Sequence, residues 1–122
     1  MFNKGVNPMQ AMQMIRKAKK AIEIGSNNFE EKESIFEYQN GMIKIKTKGD
    51  LIKEIDLTNK EFKDMLVSDP EMASDLLSSS FNSLKISLNE AKTNEIILAA
   101  EKTNVSKHII ESIRNEDMLS MI

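Results

Sequence analysis

The fold is decided by residues 35–48, which read IFEYQNGMIKIKTK. In this stretch the dipeptide Asn40-Gly41 separates two segments in which apolar and polar residues alternate. Asn and Gly tolerate the positive φ angles that a two-residue type I′ turn requires, so the pattern predicts a β-hairpin. Gly49-Asp50 then turns the chain into a third strand over residues 51–57. The segment as a whole predicts a three-stranded antiparallel meander.

The middle strand of this meander has a regular alternation of isoleucine and lysine. Successive side chains of a strand point to opposite faces of the sheet. Ile43 and Ile45 are therefore predicted to face the core, whereas three lysines project together from the opposite face: Lys44, Lys46 and Lys48.

The segment before the meander is typical of a long amphipathic helix. Pro8 suits the first helical turn, and apolar residues recur at helical spacing at Ala11, Ile15, Ala18 and Ile22. The helix is predicted to end between residues 24 and 32. Gly25-Ser26-Asn27-Asn28 forms a possible break, because glycine and asparagine lower helix stability.

Helices are also predicted after the meander. The spacing of Thr58 and Glu61 is that of a capping box, which predicts a short helix, and Asp69-Pro70 predicts the start of a long one. Its apolar face is expected at Ala73, Leu76, Leu77, Phe81, Leu84, Leu88 and Ala91. After Thr93-Asn94 the pattern predicts two further helical pieces, over residues 95–102 and 106–118. The fold class is α+β.

Size and composition predict a single domain in a reducing compartment. The 122 residues are 40% hydrophobic, and none is a cysteine. Disulfides and Cys-ligated zinc are excluded on this ground, so we expect a cytoplasmic protein. No apolar stretch approaches the length of a signal peptide or a membrane span. A small, surface-rich domain often buries further surface in a dimer, and we expect a homodimer.

Candidate catalytic and metal-binding residues are few. The single histidine, His108, has no serine–acid pair or further metal ligands at characteristic spacing, so a surface or packing role is favoured. Glu30, Glu31 and Glu33 lack the glycine turn of a calcium loop, and a solvated charged segment is the simpler interpretation. No nucleotide-binding motif is present. We expect neither enzymatic activity nor a cofactor.

Charge is divided unevenly along the chain. Residues 1–53 carry ten Lys/Arg against six Asp/Glu, a net +4, whereas residues 54–122 carry seven against thirteen, a net −6. Four basic residues crowd one turn of the first helix, and three line one face of a strand. Both geometries can follow phosphate oxygens, although solvated basic faces are also common.

Several local matches in a common order resemble the YbaB/EbfC family of bacterial nucleoid-associated proteins. The likeness covers residues 1–93: the opening MFNKG (1–5), NGMIKI (40–45), Gly49 with EID (54–56), and DLLSSSFN (75–82). The corresponding family features are its N-terminus, a glycine followed by a "VKV" strand, a glycine turn with "EID", and a "DLI…VN" stretch. The order is more specific than any single motif.

This resemblance implies a homodimer in which helical arms protrude like tweezers, and which binds duplex DNA without enzymatic activity. It also implies a role in nucleoid organisation and gene regulation, in the cytoplasm at the nucleoid. The family has no base-reading motif to transfer, so the DNA-binding candidates are chosen by charge and predicted geometry. They are Arg16, Lys17, Lys19, Lys20, Lys44, Lys46 and Lys48, with Lys85 and Lys92 as weaker candidates.

Residues 94–122 depart from the family pattern, and we treat them as a helical C-terminal extension of a domain formed by residues 1–93. The extension carries Ile96, Ile97, Ile109, Ile110 and Ile113. Three roles are open for it: covering part of the DNA-binding arm, enlarging a dimer interface, or recruiting a protein partner. The last role defines an alternative function, a protein-interaction adaptor that uses the Met-rich first helix and the extension.

Overall fold

The computed structural model describes residues 8–105 and 107–115, apart from the side chains of residues 112 and 113. These residues form four helices and three strands, so the predicted α+β class is confirmed. In chain order they are α1 (Pro8–Glu31), β1 (Glu33–Tyr38), β2 (Ile43–Lys48), β3 (Leu51–Asp56), α2 (Lys60–Ser68), α3 (Pro70–Lys102) and α4 (Lys107–Arg114).

The chain forms two compact units. One consists of the described parts of residues 1–29 and 91–122, and the other of residues 30–90. The described part of the first unit contains nearly all of α1, the C-terminal part of α3, and α4. The second contains the sheet, α2 and the N-terminal part of α3. Helix α3 passes from one unit to the other without interruption.

The sheet is the predicted antiparallel meander, in the order β1-β2-β3. Asn40 and Gly41 have φ angles of 56° and 83°, and the backbone N–H of Met42 donates to the carbonyl of Gln39 at 3.1 Å. A tight turn at Asn40-Gly41 is therefore confirmed. Gln39 before it also has a positive φ, of 50°, so the loop contains one left-handed residue more than the predicted two-residue type I′ turn.

The core of the sheet-containing unit lies on one face of the sheet. Ile43, Ile45 and Thr47 of β2 are buried, and Lys44 and Lys46 between them are exposed, so the predicted alternation is confirmed. Phe62 of α2 and Ala73 and Leu84 of α3 complete the buried cluster. Other members of the apolar face predicted for α3 pack around it half-buried: Leu76, Leu77, Phe81 and Leu88.

The helical unit has a core made largely of small side chains. Ala18, Ala21 and Ile22 of α1 pack against Ile96, Ile97, Ala99 and Ala100 of α3, and α4 closes the cluster with Ile109. Small residues let two helices approach closely, which concentrates van der Waals contacts.

The predicted break at Gly25 is wrong, because α1 continues through it to Glu31. Gly25 is buried at the crossing of α1 and α3, where a Cβ atom would lie 2.4 Å from the Cα of Ile96. Glycine is therefore needed here for the close approach of two helices. Its low helix propensity, the only property visible in the sequence, is outweighed by tertiary packing.

The predicted capping box at Thr58 is also wrong. The N-cap of α2 is Asn59, whose side-chain oxygen accepts a hydrogen bond from the backbone N–H of Phe62 at 3.1 Å. Thr58 instead donates both its backbone N–H and its hydroxyl to Asp56 Oδ1. By contrast, the predicted N-cap of α3 is confirmed, because Asp69 Oδ1 accepts from the backbone N–H of Met72.

The helix boundary predicted at Thr93-Asn94 is wrong as well, since α3 runs on to Lys102. The helix ends where Asn104 adopts a left-handed φ of 56°, and the N–H of Val105 donates to the carbonyl of Ala100. A further helix follows as predicted, but over Lys107–Arg114. The predicted portions at residue 106 and residues 116–118 lie outside the described residues.

Candidate nucleic-acid interface

The basic residues of α1 lie on the face that points away from the core of the helical unit. At about 100° of rotation per residue, they span roughly 160° of the helix circumference, opposite the buried alanines and Gly25. All four are exposed: Arg16, Lys17, Lys19 and Lys20. We call this set the α1 basic face.

The surroundings of the α1 basic face contain little compensating charge. Among the residues that the structure describes, no carboxylate forms an ion pair with any of its four side chains. Glu23, one turn further along on the same side, is the acidic residue nearest in sequence. Four cations within two turns of helix create a positive potential that attracts phosphate groups, and long flexible side chains can follow a phosphate backbone.

The lysines of β2 also project together, as predicted, but each has a carboxylate partner. Lys44 Nζ lies 3.8 Å from Glu37 Oε1 on β1, and Lys46 Nζ lies 3.1 Å from Glu54 Oε2 on β3. Lys48 Nζ lies 3.5 Å from Glu31 Oε2 at the end of α1. We call this set the β2 lysine row.

The sheet register explains these pairs. Glu37 lies directly opposite Lys44, and Glu54 directly opposite Lys46. Oppositely charged residues facing each other across strands attract, but exposed pairs of this kind contribute only about 0 to 1 kcal/mol to stability. Their larger consequence is electrostatic. The adjacent carboxylates cancel much of the positive potential that a phosphate would otherwise meet.

The acidic character of this sheet face is strengthened by Asp56, opposite Lys44. The hydroxyl hydrogen bond from Thr58, then its backbone hydrogen bond, and more weakly the charges of Lys44 and Lys46 lower the pKa of Asp56 below its ordinary value of 3.8. Hydrogen bonds to the charged form of a carboxylate favour that form. Asp56 is therefore ionised at neutral pH, and the β2 lysine row sits between acidic neighbours on both sides.

The two weaker candidates are on α3. Lys85 is exposed in the sheet-containing unit, and Lys92 is half-buried in the helical unit. The nine candidates thus fall into two sets. The α1 basic face and Lys92 belong to the helical unit, and the β2 lysine row and Lys85 belong to the sheet-containing unit.

The extension after residue 93 contributes to the core of the helical unit. Ile96 and Ile97 are buried there, Ile109 is 7% exposed, and Ile110 packs against them. The extension therefore covers the side of α1 that carries Ala18, Ala21 and Ile22, and it leaves the α1 basic face exposed. Of the predicted extension residues, Ile113 lies outside the described side chains.

Sequence reasoning missed the three glutamates that pair with the β2 lysine row. One of them could have been found: the Asn40-Gly41 turn fixes the register of the hairpin, which sets Glu37 opposite Lys44. The pairing of Glu54 with Lys46 could not be predicted from the turn, because a bulge shifts the register of β2 and β3 between Lys46 and Thr47.

The described residues contain no group of three or more His, Cys, Asp or Glu side chains arranged to hold a metal ion. His108 is exposed on α4. In the same part of the chain, none of the helices combines the length and the apolar character needed to cross a bilayer.

Comparison of the chain with protein-family models, with curated proteins and with solved structures finds no match.

Proposed function

We propose that this protein binds duplex DNA as a homodimer, largely through phosphate contacts, and acts as a nucleoid-associated protein in nucleoid organisation and gene regulation. The observation that carries the proposal is the α1 basic face: four exposed cations on one side of a helix, with no carboxylate partner among the described residues. The resemblance of residues 1–93 to the YbaB/EbfC family supports the same conclusion.

The chemistry of the α1 basic face favours phosphate contacts over base recognition. Arginine and lysine on a helix can reach phosphate oxygens without entering a groove, and such contacts carry no sequence information. The described basic face has no aromatic side chain for stacking on bases. Binding is therefore expected to depend little on DNA sequence and strongly on salt.

The direct test is fluorescence anisotropy of the full chain with two duplexes of unrelated sequence. Four phosphate contacts per chain, and eight per dimer, predict an affinity loss of roughly 10⁴ between 50 and 200 mM salt, with similar affinities for both duplexes. Replacing Lys60 and Lys63 with glutamine is the control for non-specific charge. Both are exposed lysines of α2 outside the candidate set, so the affinity for DNA should change little. Duplex DNA left unbound at 50 mM salt would contradict the proposal.

A second candidate function, a protein-interaction adaptor, is favoured by one observation. Met9 and Met12 are 71% and 54% exposed on α1. Flexible thioether side chains adapt readily to a partner surface. The isoleucines of the extension no longer support this function, because those that are described are packed in the core of the helical unit.

The adaptor function is best tested by point substitution, since deleting residues 94–122 would remove six of the nine buried residues of that core. A partner captured by the wild type and lost on Met9→Ser with Met12→Ser would support it. Met72→Ser is the matched control, because Met72 is also more than half exposed but lies on α3. Equal capture by all three proteins would exclude these methionines as the binding surface.

A further inference from the structure

The free edge of β3 has apolar side chains that nothing in its own unit fully covers. Within the described residues β3 pairs with β2 alone, so its other edge presents unpaired backbone groups. Ile52 and Ile55 on this strand are 44% and 40% exposed. An exposed edge with apolar side chains is a template for pairing with another strand.

A bulge gives β3 an unusual distribution of side chains. Ile52 faces Thr47 and Glu54 faces Lys46, which leaves Lys53 as the additional residue. In a regular strand, residues three apart point to opposite faces. Here Ile52 and Ile55 both lie on the face that carries buried Thr47 and Ile45. Lys53 and Glu54 share the place opposite Lys46, on the other face.

This arrangement makes β3 complementary to itself. Two antiparallel copies related by a two-fold axis between Lys53 and Glu54 place Ile52 of one copy opposite Ile55 of the other. The same register places Lys53 opposite Glu54 of the second copy, and at the two ends of the pair it places Leu51 opposite Asp56. Each match occurs twice, because the interface uses the same patch on both chains. Apolar pairs and opposite charges directly across two strands both favour pairing.

The other edge of the sheet lacks this property. β1 exposes Glu33, Ile35 and Glu37 on the lysine side of the sheet. Pairing two copies of β1 about Ile35 sets Glu33 against Glu37 of the second copy, and like charges directly opposite destabilise a strand pair. The β1 edge is thus protected by its charges.

A bulge and a lysine on an edge strand usually prevent pairing. In β3, however, the bulge brings two isoleucines to one face, and the lysine meets a glutamate in the two-fold register. We propose that the free edge of β3 is the docking site for β3 of a second copy of this chain, so that the two three-stranded sheets join into one. The inference rests on the homodimer in the proposed function and does not depend on DNA binding.

The first test is the dimer dissociation constant of the full chain, measured by analytical ultracentrifugation. Glu54→Lys sets lysines against lysines at two places, and we expect the constant to rise by about tenfold or more. The double variant Lys53→Glu with Glu54→Lys exchanges the charges and restores dimerisation. Glu90→Lys, the same charge reversal at an exposed position of α3 in the same unit, is the control and leaves the constant unchanged. Circular dichroism checks that each variant is folded, which is expected because all the substituted residues are exposed.

The second test uses the absence of cysteine from the chain. Lys53→Cys and a size-tagged Glu54→Cys protein are mixed and oxidised. Residues directly opposite across two strands have Cβ atoms within reach of a disulfide, so the mixed dimer is expected to be cross-linked. The pair Glu33→Cys and Glu37→Cys on β1 is the control and remains uncross-linked.

A monomer at all concentrations, an unchanged constant for Glu54→Lys, or equal cross-linking of both cysteine pairs would overturn the proposal. The duplex-binding assay is scored separately. If cross-linking through β3 persists while DNA is not bound, the DNA-binding function fails and the docking site stands. If DNA is bound and the β3 cross-link is absent, only the docking site fails.

Discussion

The α1 basic face and the β2 lysine row look alike in the sequence, but their electrostatic surroundings differ. The helix exposes four cations with no carboxylate partner among the described residues. The strand projects three from one face, two exposed and one half-buried, and each has a glutamate within 4 Å. A strand is flanked by neighbours that are remote in sequence, and these supply compensating charge. The exposed side of a helix packed through its opposite face has no such neighbours.

A cluster of charges in the sequence of a strand therefore overestimates the phosphate-binding surface on a sheet. In the proposed function, the α1 basic face therefore supplies most of the affinity for DNA, and the β2 lysine row supplies little.

The largest effect is expected from Gly25→Val, which disturbs the helix crossing that holds α1. The new side chain would meet the backbone of Ile96. We expect the free energy of unfolding to fall by about 3 kcal/mol, because inserted volume in a packed core strains both helices. Denaturant unfolding measures the loss, and hydrogen exchange at Ile96 compared with Ile45 locates it in the helical unit.

Asn27→Val is the matched control for this prediction. Asn27 is exposed on the same helix, so the substitution should change stability by no more than about 0.5 kcal/mol. A Gly25→Val protein as stable as the wild type would show that the two helices do not depend on the close approach.

An intermediate effect is expected when two of the glutamates paired with the β2 lysine row are neutralised. Glu31→Gln with Glu37→Gln leaves Lys48 and Lys44 without their carboxylates. We expect the affinity for duplex DNA at low salt to rise about threefold, because unpaired lysines attract phosphate more strongly. Asp75→Asn with Glu90→Gln removes two exposed negative charges from α3 in the same unit. An equal gain from both variants would attribute the effect to net charge alone.

The smallest effect concerns Asp56, whose pKa is held below 3.8 by Thr58. Thr58→Val removes the hydroxyl hydrogen bond, so the pKa of Asp56 should rise toward its ordinary value. Because the folded state lowers this pKa, the associated stability is present above pH 3.8 and is lost as the pH falls through the folded pKa. Carboxyl NMR titration measures the shift.

Ser68→Ala is the control for this titration, since its hydroxyl donates to a backbone carbonyl on α2 and not to Asp56. An Asp56 pKa that is the same in Thr58→Val and in the wild type would show that the hydroxyl bond is not its cause.

Local patterns in the sequence were sufficient for much of the fold. The turn at Asn40-Gly41, the alternation in β2 and the N-cap at Asp69 depend on residues adjacent along the chain, and all three predictions are confirmed. Gly25 and Thr58 were misinterpreted for one reason. Gly25 fits the rule for a helix break, but its close approach to Ile96 decides its role. Thr58 fits the rule for a capping box, but its hydrogen bonds to Asp56 decide its role.

The candidate site was predictable only in part. That the four cations of α1 share an exposed face follows from helical periodicity. That the lysines of β2 are paired depends on strand register and on the bulge at Lys53, which hydrophobic patterning does not specify. The burial of the extension's isoleucines against α1 is a long-range contact, and the sequence left three roles open for them.

The most direct test of the central claim is the salt dependence of duplex binding in two neutralised variants. One carries glutamine at Arg16, Lys17, Lys19 and Lys20, and the other carries glutamine at Lys44, Lys46 and Lys48. If the α1 basic face is the main contact with DNA, the slope of log K against log salt becomes shallower by roughly 3 to 4 per chain in the first variant and by less than about 1 in the second. An equal or larger change in the second variant would contradict this claim.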